Sequence, residues 1–130
     1  MLKKITVETK EEVEFLEITD QVKKIVNESD VEEGLLQIFI PHTDAAVTMM
    51  GTENEDIAKE VRFEINKFDD NFGHIESTTS AAHFKSSLFG VNLGFIIDGG
   101  ELILGPSQGI YISDFKGPAE RTVLLKILEG

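Results

Sequence analysis

The sequence predicts an α+β fold in which a mostly antiparallel β-sheet of about six to eight strands carries two or three helices. Three observations support this class. Several short segments alternate between apolar and polar residues, as half-buried strands do. One longer segment repeats apolar residues every three or four positions, as the buried face of a helix does. Gly99-Gly100 separates two apolar segments and predicts a tight hairpin.

Composition limits the class of protein. The chain has 130 residues, 41% hydrophobic and 28% charged, and we interpret residues 1–130 as one globular domain. The formal net charge of -12 argues against binding to nucleic acid or to an anionic membrane. Disulfides and thiolate ligands are excluded because there is no cysteine. We expect a cytoplasmic protein, since no membrane-spanning run or secretory signal is recognisable.

Two strands and a helix are predicted at the start of the chain. Residues 3–9 and 14–18 alternate between apolar and polar side chains, and the charged residues between them suit a hairpin turn. Apolar residues at helical spacing begin at Val22, so a helix should follow. Thr19 or Asp20 is its expected cap, because a side-chain oxygen there can accept from a free backbone N–H.

The apolar run over residues 35–40 predicts a buried strand at the centre of the fold. Pro41 closes the run, and pairing should stop there because proline has no N–H for a sheet ladder. His42 therefore lies where the chain leaves the sheet, and residues 45–49 predict the next strand. A titratable side chain at a strand end is a common way to mount a site on a rigid scaffold. The alternative is a loop histidine without a role.

The longest predicted helix covers residues 53–68, and residues 81–89 predict a shorter one that ends at Gly90. Residues 74–80 between them are polar and hydroxyl-rich, which is typical of a loop. The apolar stripe of the long helix consists of Ile57, Val61, Ile65 and Phe68. The last third predicts strands over residues 94–98, 101–104, 108–115 and 121–128.

The three histidines, His42, His74 and His83, lie in polar segments or near the ends of elements, where a core histidine would not be expected. Neutral imidazoles from three segments can bind a divalent metal such as zinc and leave a fourth position for water or substrate. Their spacing does not form a short helical ligand pair, so a metal site depends on tertiary folding. The alternative is that the three rings have no common ligand.

An anion site is the second candidate. Lys85 and Ser86 follow His83 near the start of a predicted helix, where free N–H groups favour a bound anion. Arg121 begins the last strand and could bind phosphate with its guanidinium fork. Gln108 starts another strand and is either exposed at an edge or part of a polar pocket. The alternative is that Lys85 is solvated and Arg121 joins a surface ion pair.

Four spaced motifs together resemble the YjbQ-like family, some of whose members are named secondary thiamine-phosphate synthases. The resemblance covers nearly the whole chain, with the motifs in the same order. The motifs are H-T-x-A-A-V-T at 42–48, A-H-x-K-S-S-L-x-G at 82–90, L-G-x-x-Q-x-I-Y at 104–111 and F-x-G-P at 115–118.

The resemblance implies a compact α+β fold that assembles as a homotrimer with sites near the subunit contacts, and a histidine cluster that holds a metal. The matching positions in this chain are His42, His74, His83, Lys85, Gln108 and Arg121. The chain departs from the family pattern at Asp44, Thr79, Ser107, Lys116 and Ala119, where the family usually has threonine, asparagine, tryptophan, aspartate and arginine respectively.

The leading functional hypothesis is a metal-dependent enzyme acting on a phosphorylated small molecule. The metal would act as a Lewis acid or activate water, and Glu76 is the candidate general base. A second hypothesis is a non-catalytic module that captures a metal or a small anion. A third is a structural trimer whose histidines satisfy an interface.

Overall fold

The structure, a computed structural model, describes residues 1–68 and 80–130. Every strand pair in these residues is antiparallel, and the predicted α+β class is confirmed. The elements are β1 Leu2–Glu8, β2 Glu14–Glu17, α1 Thr19–Glu28, β3 Glu33–Phe39, β4 Ala45–Gly51, α2 Asp56–Ile65, α3 Ser80–Phe89, β5 Asn92–Asp98, β6 Glu101–Leu102, β7 Gln108–Asp114 and β8 Glu120–Glu129.

The described strands form two sheets. A five-stranded sheet has the order β1-β8-β3-β5-β6, and a three-stranded sheet has the order β2-β7-β4. β3 is central because its alternate residues Leu36 and Ile38 are almost fully buried, while Leu35 and Gln37 point to the other face and are exposed. The strand ends at Phe39, one residue before the predicted end at residue 40, and does not continue past Pro41, as predicted.

The main core lies between the two sheets, so the strands form a sandwich. Ile38, Leu125 and Ile127 from the five-stranded sheet pack in the same cluster as Val47 and Ile112 from the three-stranded sheet. Fully burying an aliphatic side chain of this size contributes about 1.5–3 kcal/mol, so this layer dominates the stability of the fold. The far face of the five-stranded sheet has no covering layer among the described residues.

The helices occupy two places. α1 buries Val22 and Val26 in the main core, and Thr19 is its first residue. The prediction that Thr19 or Asp20 caps this helix is wrong: Ile18 is the cap residue, and the Thr19 hydroxyl donates to Glu17 and accepts from the amide of Ile110. α2 and α3 cover the other face of the three-stranded sheet. No helix in residues 1–68 or 80–130 has the length and apolar character that crossing a bilayer requires.

One predicted hairpin is confirmed and the other is wrong. β5 and β6 pair across Gly99-Gly100, and both glycines have positive φ (62° and 76°), as a tight two-residue turn requires. β1 and β2 do not pair with each other. β1 pairs with β8 and β2 pairs with β7, so the chain crosses from one sheet to the other at residues 9–13.

Candidate functional site

His42 continues the hydrogen bonding of the five-stranded sheet after β3 has ended. The last residue pair between β3 and β8 joins Phe39 to Leu124. Beyond it, Pro41 has no N–H, and the backbone leaves the sheet. The His42 ring takes the vacated position, and its Nε2 accepts a hydrogen bond of 3.0 Å from the backbone N–H of Thr122. The side chain is therefore fixed to β8.

Arg121 lies beside His42 on the inward face of β8 and is 6% exposed. Its Nε and Nη2 donate to the two carboxylate oxygens of Asp114 at 3.0 and 2.8 Å. Its Nη1 donates to Asp44 at 2.8 Å, and Nη2 also lies 3.4 Å from the carbonyl oxygen of Lys116. The guanidinium fork is thus shared between two carboxylates, with a bidentate contact to the more buried one.

Asp114 is fully buried at the end of β7 and depends on its partners. Besides the Arg121 contacts, it accepts 2.6 Å from the Thr9 hydroxyl and 2.9 Å from the amide of Lys116. Thr9 in turn accepts from the amide of Ala119 at 3.0 Å. We call Arg121, Asp114, Asp44, Thr9 and His42 the Arg121 cluster. It joins the two sheets at one end of the sandwich.

The cluster shifts the pKa of three of its groups. Burial, together with the neighbouring Arg121, lowers the pKa of His42, so the ring is neutral at pH 7. Burial alone would raise the pKa of Asp114, but hydrogen bonds from Arg121, Thr9 and the Lys116 amide lower it. Hydrogen bonding to Asp114 raises the pKa of Arg121. The cluster therefore holds one cation between two carboxylates and a neutral imidazole.

The hydrogen bonds fix the tautomer of His42. A backbone N–H can only donate, so Nε2 carries the lone pair and the proton of the neutral ring is on Nδ1. The Arg121 Nη1 lies 3.4 Å from Nδ1, which places two donors opposite each other. A histidine that binds a metal through one nitrogen carries its proton on the other. Binding of a metal by His42 therefore requires the ring to release Thr122.

A surface depression of about 450 Å³ opens beside the cluster. Phe39, His42 and Asp44 line it, together with the residues between them and Val91. The Asp44 side chain is 22% exposed, whereas that of Arg121 is 7% exposed. A small ligand in the depression thus meets Asp44 and the imidazole first, and an anion reaches Arg121 only by displacing Asp44.

The other predicted site residues lie in different surroundings. Lys85 and Ser86 are buried on the side of α3 that packs on β4, and His83 is exposed. The Ser86 hydroxyl donates to the carbonyl oxygen of Ala45 at 2.7 Å. The Lys85 ammonium lies 3.4 Å from the amide oxygen of Asn66. Ser86 therefore lies at the end of the sandwich that holds Asp114, because Ala45 pairs with Asp114 in the sheet.

Gln108 is separate from the cluster within one chain. Its Oε1 accepts 2.7 Å from the amide of Gly105 and so closes the turn before β7. Gln108 and Asp114 are the two ends of β7, which places them roughly 20 Å apart at about 3.3 Å per residue. One phosphate cannot contact both Gln108 and Arg121 of the same chain.

Two predicted site residues, His74 and Glu76, lie outside the described residues. Within residues 1–68 and 80–130, no three histidine or carboxylate side chains are grouped closely enough to hold a metal ion. The three-histidine metal site and the general base therefore stay predictions.

The sequence analysis did not identify Asp114, although it is the centre of the cluster. The signal was present: in residues 110–115 the strand alternation places Asp114 on the same face as Ile110 and Ile112. A carboxylate on the inward face of a strand indicates a buried partner cation, because an unpaired buried charge is too costly. Arg121 is that cation.

The lowered pKa of His42 predicts how stability depends on pH. The unfolded chain takes up a proton near the ordinary pKa of 6.5, before the folded ring does. This contribution to the free energy of unfolding is complete above that pH and is lost as the pH falls through the pKa of the folded state. In urea denaturation, the free energy of unfolding should fall as the pH is lowered from about 7.5 to 5.5.

The matched variants for this experiment are His42→Gln and His83→Gln. Glutamine can still accept from Thr122 but does not titrate, so His42→Gln should have a shallower pH dependence than the parent. His83 is exposed, and its replacement is the control for the loss of a histidine. Equal slopes in all three proteins would contradict the assignment.

Sequence comparisons place the chain in one protein family. The model of the family described as UPF0047 protein YjbQ-like matches residues 3–130. UPF0047 protein YugU of Bacillus subtilis is 34% identical, with 98% of this chain and 99% of the relative covered. A UPF0047 protein of Methanocaldococcus jannaschii is 36% identical, with 98% of this chain and 94% of the relative covered.

Solved structures show the same fold. A YbjQ-like protein of unknown function from Sulfolobus solfataricus superimposes with a TM-score of 0.92 at 26% identity, covering 100% of this chain and 97% of that chain. An uncharacterised conserved protein of the YjbQ/UPF0047 family from Clostridium acetobutylicum gives 0.89 at 36% identity, covering 97% of this chain and 99% of that chain.

Proposed function

This chain belongs to the YjbQ-like UPF0047 family, and we propose that it acts on a phosphorylated small molecule, of the thiamine-phosphate type, with a bound divalent metal such as zinc. The observation that carries the proposal is His42: a neutral imidazole, fixed at a strand end and lining an open depression. Such a ring can bind a metal or accept a proton at pH 7.

The proposed metal ligands are His42, His74 and His83. Three imidazoles are a donor set that suits zinc, and the metal would supply a Lewis acid or an activated water. His42 must rotate away from Thr122 to take part, and His83 is already exposed. Glu76 is the proposed general base.

Replacing His83 should separate metal binding from folding. His83→Ala should reduce zinc affinity at least tenfold, because one of three ligands is lost, while the midpoint of urea unfolding of the metal-free protein stays the same. Ser87→Ala, one helical turn away on the same exposed face of α3, is the matched control. The measurements are the zinc content of untagged protein, by elemental analysis, and its zinc affinity, by titration calorimetry. Unchanged zinc affinity in His83→Ala removes the proposed metal site.

Asp44 should control access of phosphate to Arg121. Asp44→Asn removes a negative charge and the ion pair of 2.8 Å that occupies Nη1, so phosphate should bind about tenfold more tightly, the scale of one charged hydrogen bond. Titration of inorganic phosphate and of thiamine phosphate into both proteins measures this. Asp56→Asn, on an exposed carboxylate of α2, is the control for net charge. If Asp44→Asn binds no better than the control, Arg121 is not the phosphate contact.

A non-catalytic metal- or anion-binding module is the second candidate, and a specific observation favours it. The Ser86 hydroxyl and the Arg121 guanidinium already donate to oxygen atoms of the chain, and the Gln108 Oε1 already accepts from the Gly105 amide, so these groups are held in place before any substrate binds. Turnover of a phosphorylated compound supports the enzyme, whereas stoichiometric metal without turnover supports the module. In both cases we propose a homotrimer that binds neither nucleic acid nor membranes.

A further inference from the structure

Two hydrogen-bond donors of the Arg121 cluster lie side by side. Because the Thr122 amide donates to Nε2 of His42, the neutral ring carries its proton on Nδ1. The Arg121 Nη1, which also donates, lies 3.4 Å from that Nδ1. Within residues 1–68 and 80–130, the Nδ1 proton has no acceptor. The pair therefore lacks an oxygen atom that could accept from both nitrogens.

An anionic oxygen fits this place. Hydrogen bonds of about 2.7–3.2 Å allow one oxygen to accept from two nitrogens that are 3.4 Å apart. His42 lines the depression of about 450 Å³, which gives such an oxygen a route from solvent. The guanidinium is also held from behind, because Asp114 accepts from Nε and Nη2 of Arg121. Arg121 can therefore stay in position while Nη1 changes its partner.

Asp44 is the partner that an anion has to replace at Nη1. Its carboxylate accepts from Nη1 at 2.8 Å, and its side chain is 22% exposed and lines the same depression. A bare anion that replaces Asp44 leaves this carboxylate without its cation and next to a second negative charge. A bare cation that draws Asp44 away leaves Nη1 without an acceptor. Both cost free energy, because a charged group in a partly buried site needs a partner.

A ligand that carries both charges avoids both costs. Its anionic group replaces Asp44 on Arg121, and its cationic group gives Asp44 a new partner. The cationic group also offsets the long-range repulsion of an anion by a chain with a formal net charge of -12. Phe39 and Val91 line the rest of the depression and can contact the carbon atoms that join the two groups.

We propose that the depression beside His42 binds a small molecule with neighbouring charges of opposite sign. Its anionic oxygen accepts from Arg121 Nη1 and His42 Nδ1, and its cationic nitrogen pairs with Asp44. The inference rests on the proposed function and names the charge of the phosphorylated substrate: a cationic nitrogen lies a few bonds from the phosphate. Asp44 is the residue that selects this class. The His42 ring stays on Thr122 in this contact, so the binding needs no metal.

Titration calorimetry of the metal-free full chain with O-phosphoethanolamine and with ethyl phosphate tests the proposal. The two compounds share the phosphate and differ in the ammonium group. The parent chain should bind O-phosphoethanolamine at least about tenfold more tightly, the scale of one charged hydrogen bond. Asp44→Asn should reduce this ratio below about threefold, because the partner of the ammonium group is neutral.

Asp56→Asn is the matched control, since it removes the same charge from an exposed carboxylate of α2 and should keep the ratio of the parent. Three results overturn the proposal: no binding of either compound, equal affinity of the parent for both, or a ratio that survives Asp44→Asn.

Nitrogen NMR of the histidine rings tests the anion contact by itself. O-phosphoethanolamine should shift the Nδ1–H signal of His42 and slow its exchange with water, while the signals of the exposed His83 stay in place. A shift at His83 without one at His42 overturns the contact. Zinc content of the untagged protein judges the proposed function separately: a chain that selects O-phosphoethanolamine but binds no zinc keeps this site and loses the metal.

Discussion

Replacement of Asp114 by alanine should lower the free energy of unfolding by about 3–5 kcal/mol, the cost of leaving a buried charge without its partner. Arg121 would lose its bidentate contact while staying 6% exposed, and Thr9 and the Lys116 amide would each lose an acceptor. Asp44, the remaining carboxylate, reaches only Nη1. Urea denaturation at pH 7 measures the loss.

The control for this change is an exposed ion pair with a similar N–O distance, 2.7 Å against 2.8 Å. Arg62 and Glu11 are 2.7 Å apart, with side chains 43% and 54% exposed. Glu11→Ala should cost less than about 1 kcal/mol, since water compensates exposed charges. Asp114→Asn keeps the shape and should give an intermediate loss. A loss below about 1 kcal/mol in Asp114→Ala would show that the cluster does not carry the stability assigned to it.

Gly117→Ala is expected to cost about 2–3 kcal/mol, because the added methyl group has no room. A Cβ at this position would overlap the carbonyl oxygen of Glu11 and lie 2.8 Å from the Thr9 hydroxyl and 3.2 Å from Asp114. The Gly117 amide also donates 2.9 Å to the carbonyl oxygen of Glu12, so the turn cannot easily move away.

The comparison for Gly117→Ala is Gly94→Ala, measured at the same chain concentration. A Cβ on Gly94 would meet only the Gln37 side chain, at 3.5 Å, an ordinary contact. This variant should unfold within about 0.5 kcal/mol of the parent. If the two glycine variants unfold at the same denaturant concentration, close packing at Gly117 is not what requires a glycine there.

The elements that local sequence specifies were predicted well. Pro41 ends β3 where the missing N–H requires it, and Gly99-Gly100 supplies the positive φ of the β5–β6 hairpin. Long-range pairing was not predicted. Residues 10–12 are compatible with a hairpin, but β1 and β2 find better-matched partners in β8 and β7. The separation into two sheets follows from those pairings and has no local signal.

The candidate site was predicted only in part for the same reason. Sequence placed His42 at the exit of a buried strand, and the structure agrees. It placed Arg121 in an anion pocket, but it could not show that Asp114 and Asp44 already occupy the guanidinium. Those partners are 7 and 77 residues away along the chain, and only the sandwich brings them together. That assignment stays a prediction, which Asp44→Asn addresses.

The hydrogen bond from the Thr122 amide to the His42 ring couples ligand binding at His42 to hydrogen exchange of that amide with solvent. While the ring is in place, the Thr122 amide is protected by a side chain and not by a strand. A ligand that draws the imidazole away frees that amide, which then exchanges with deuterium by local opening, without unfolding of β8. The amide of one threonine thus reports the state of the site, although no part of Thr122 need touch the ligand.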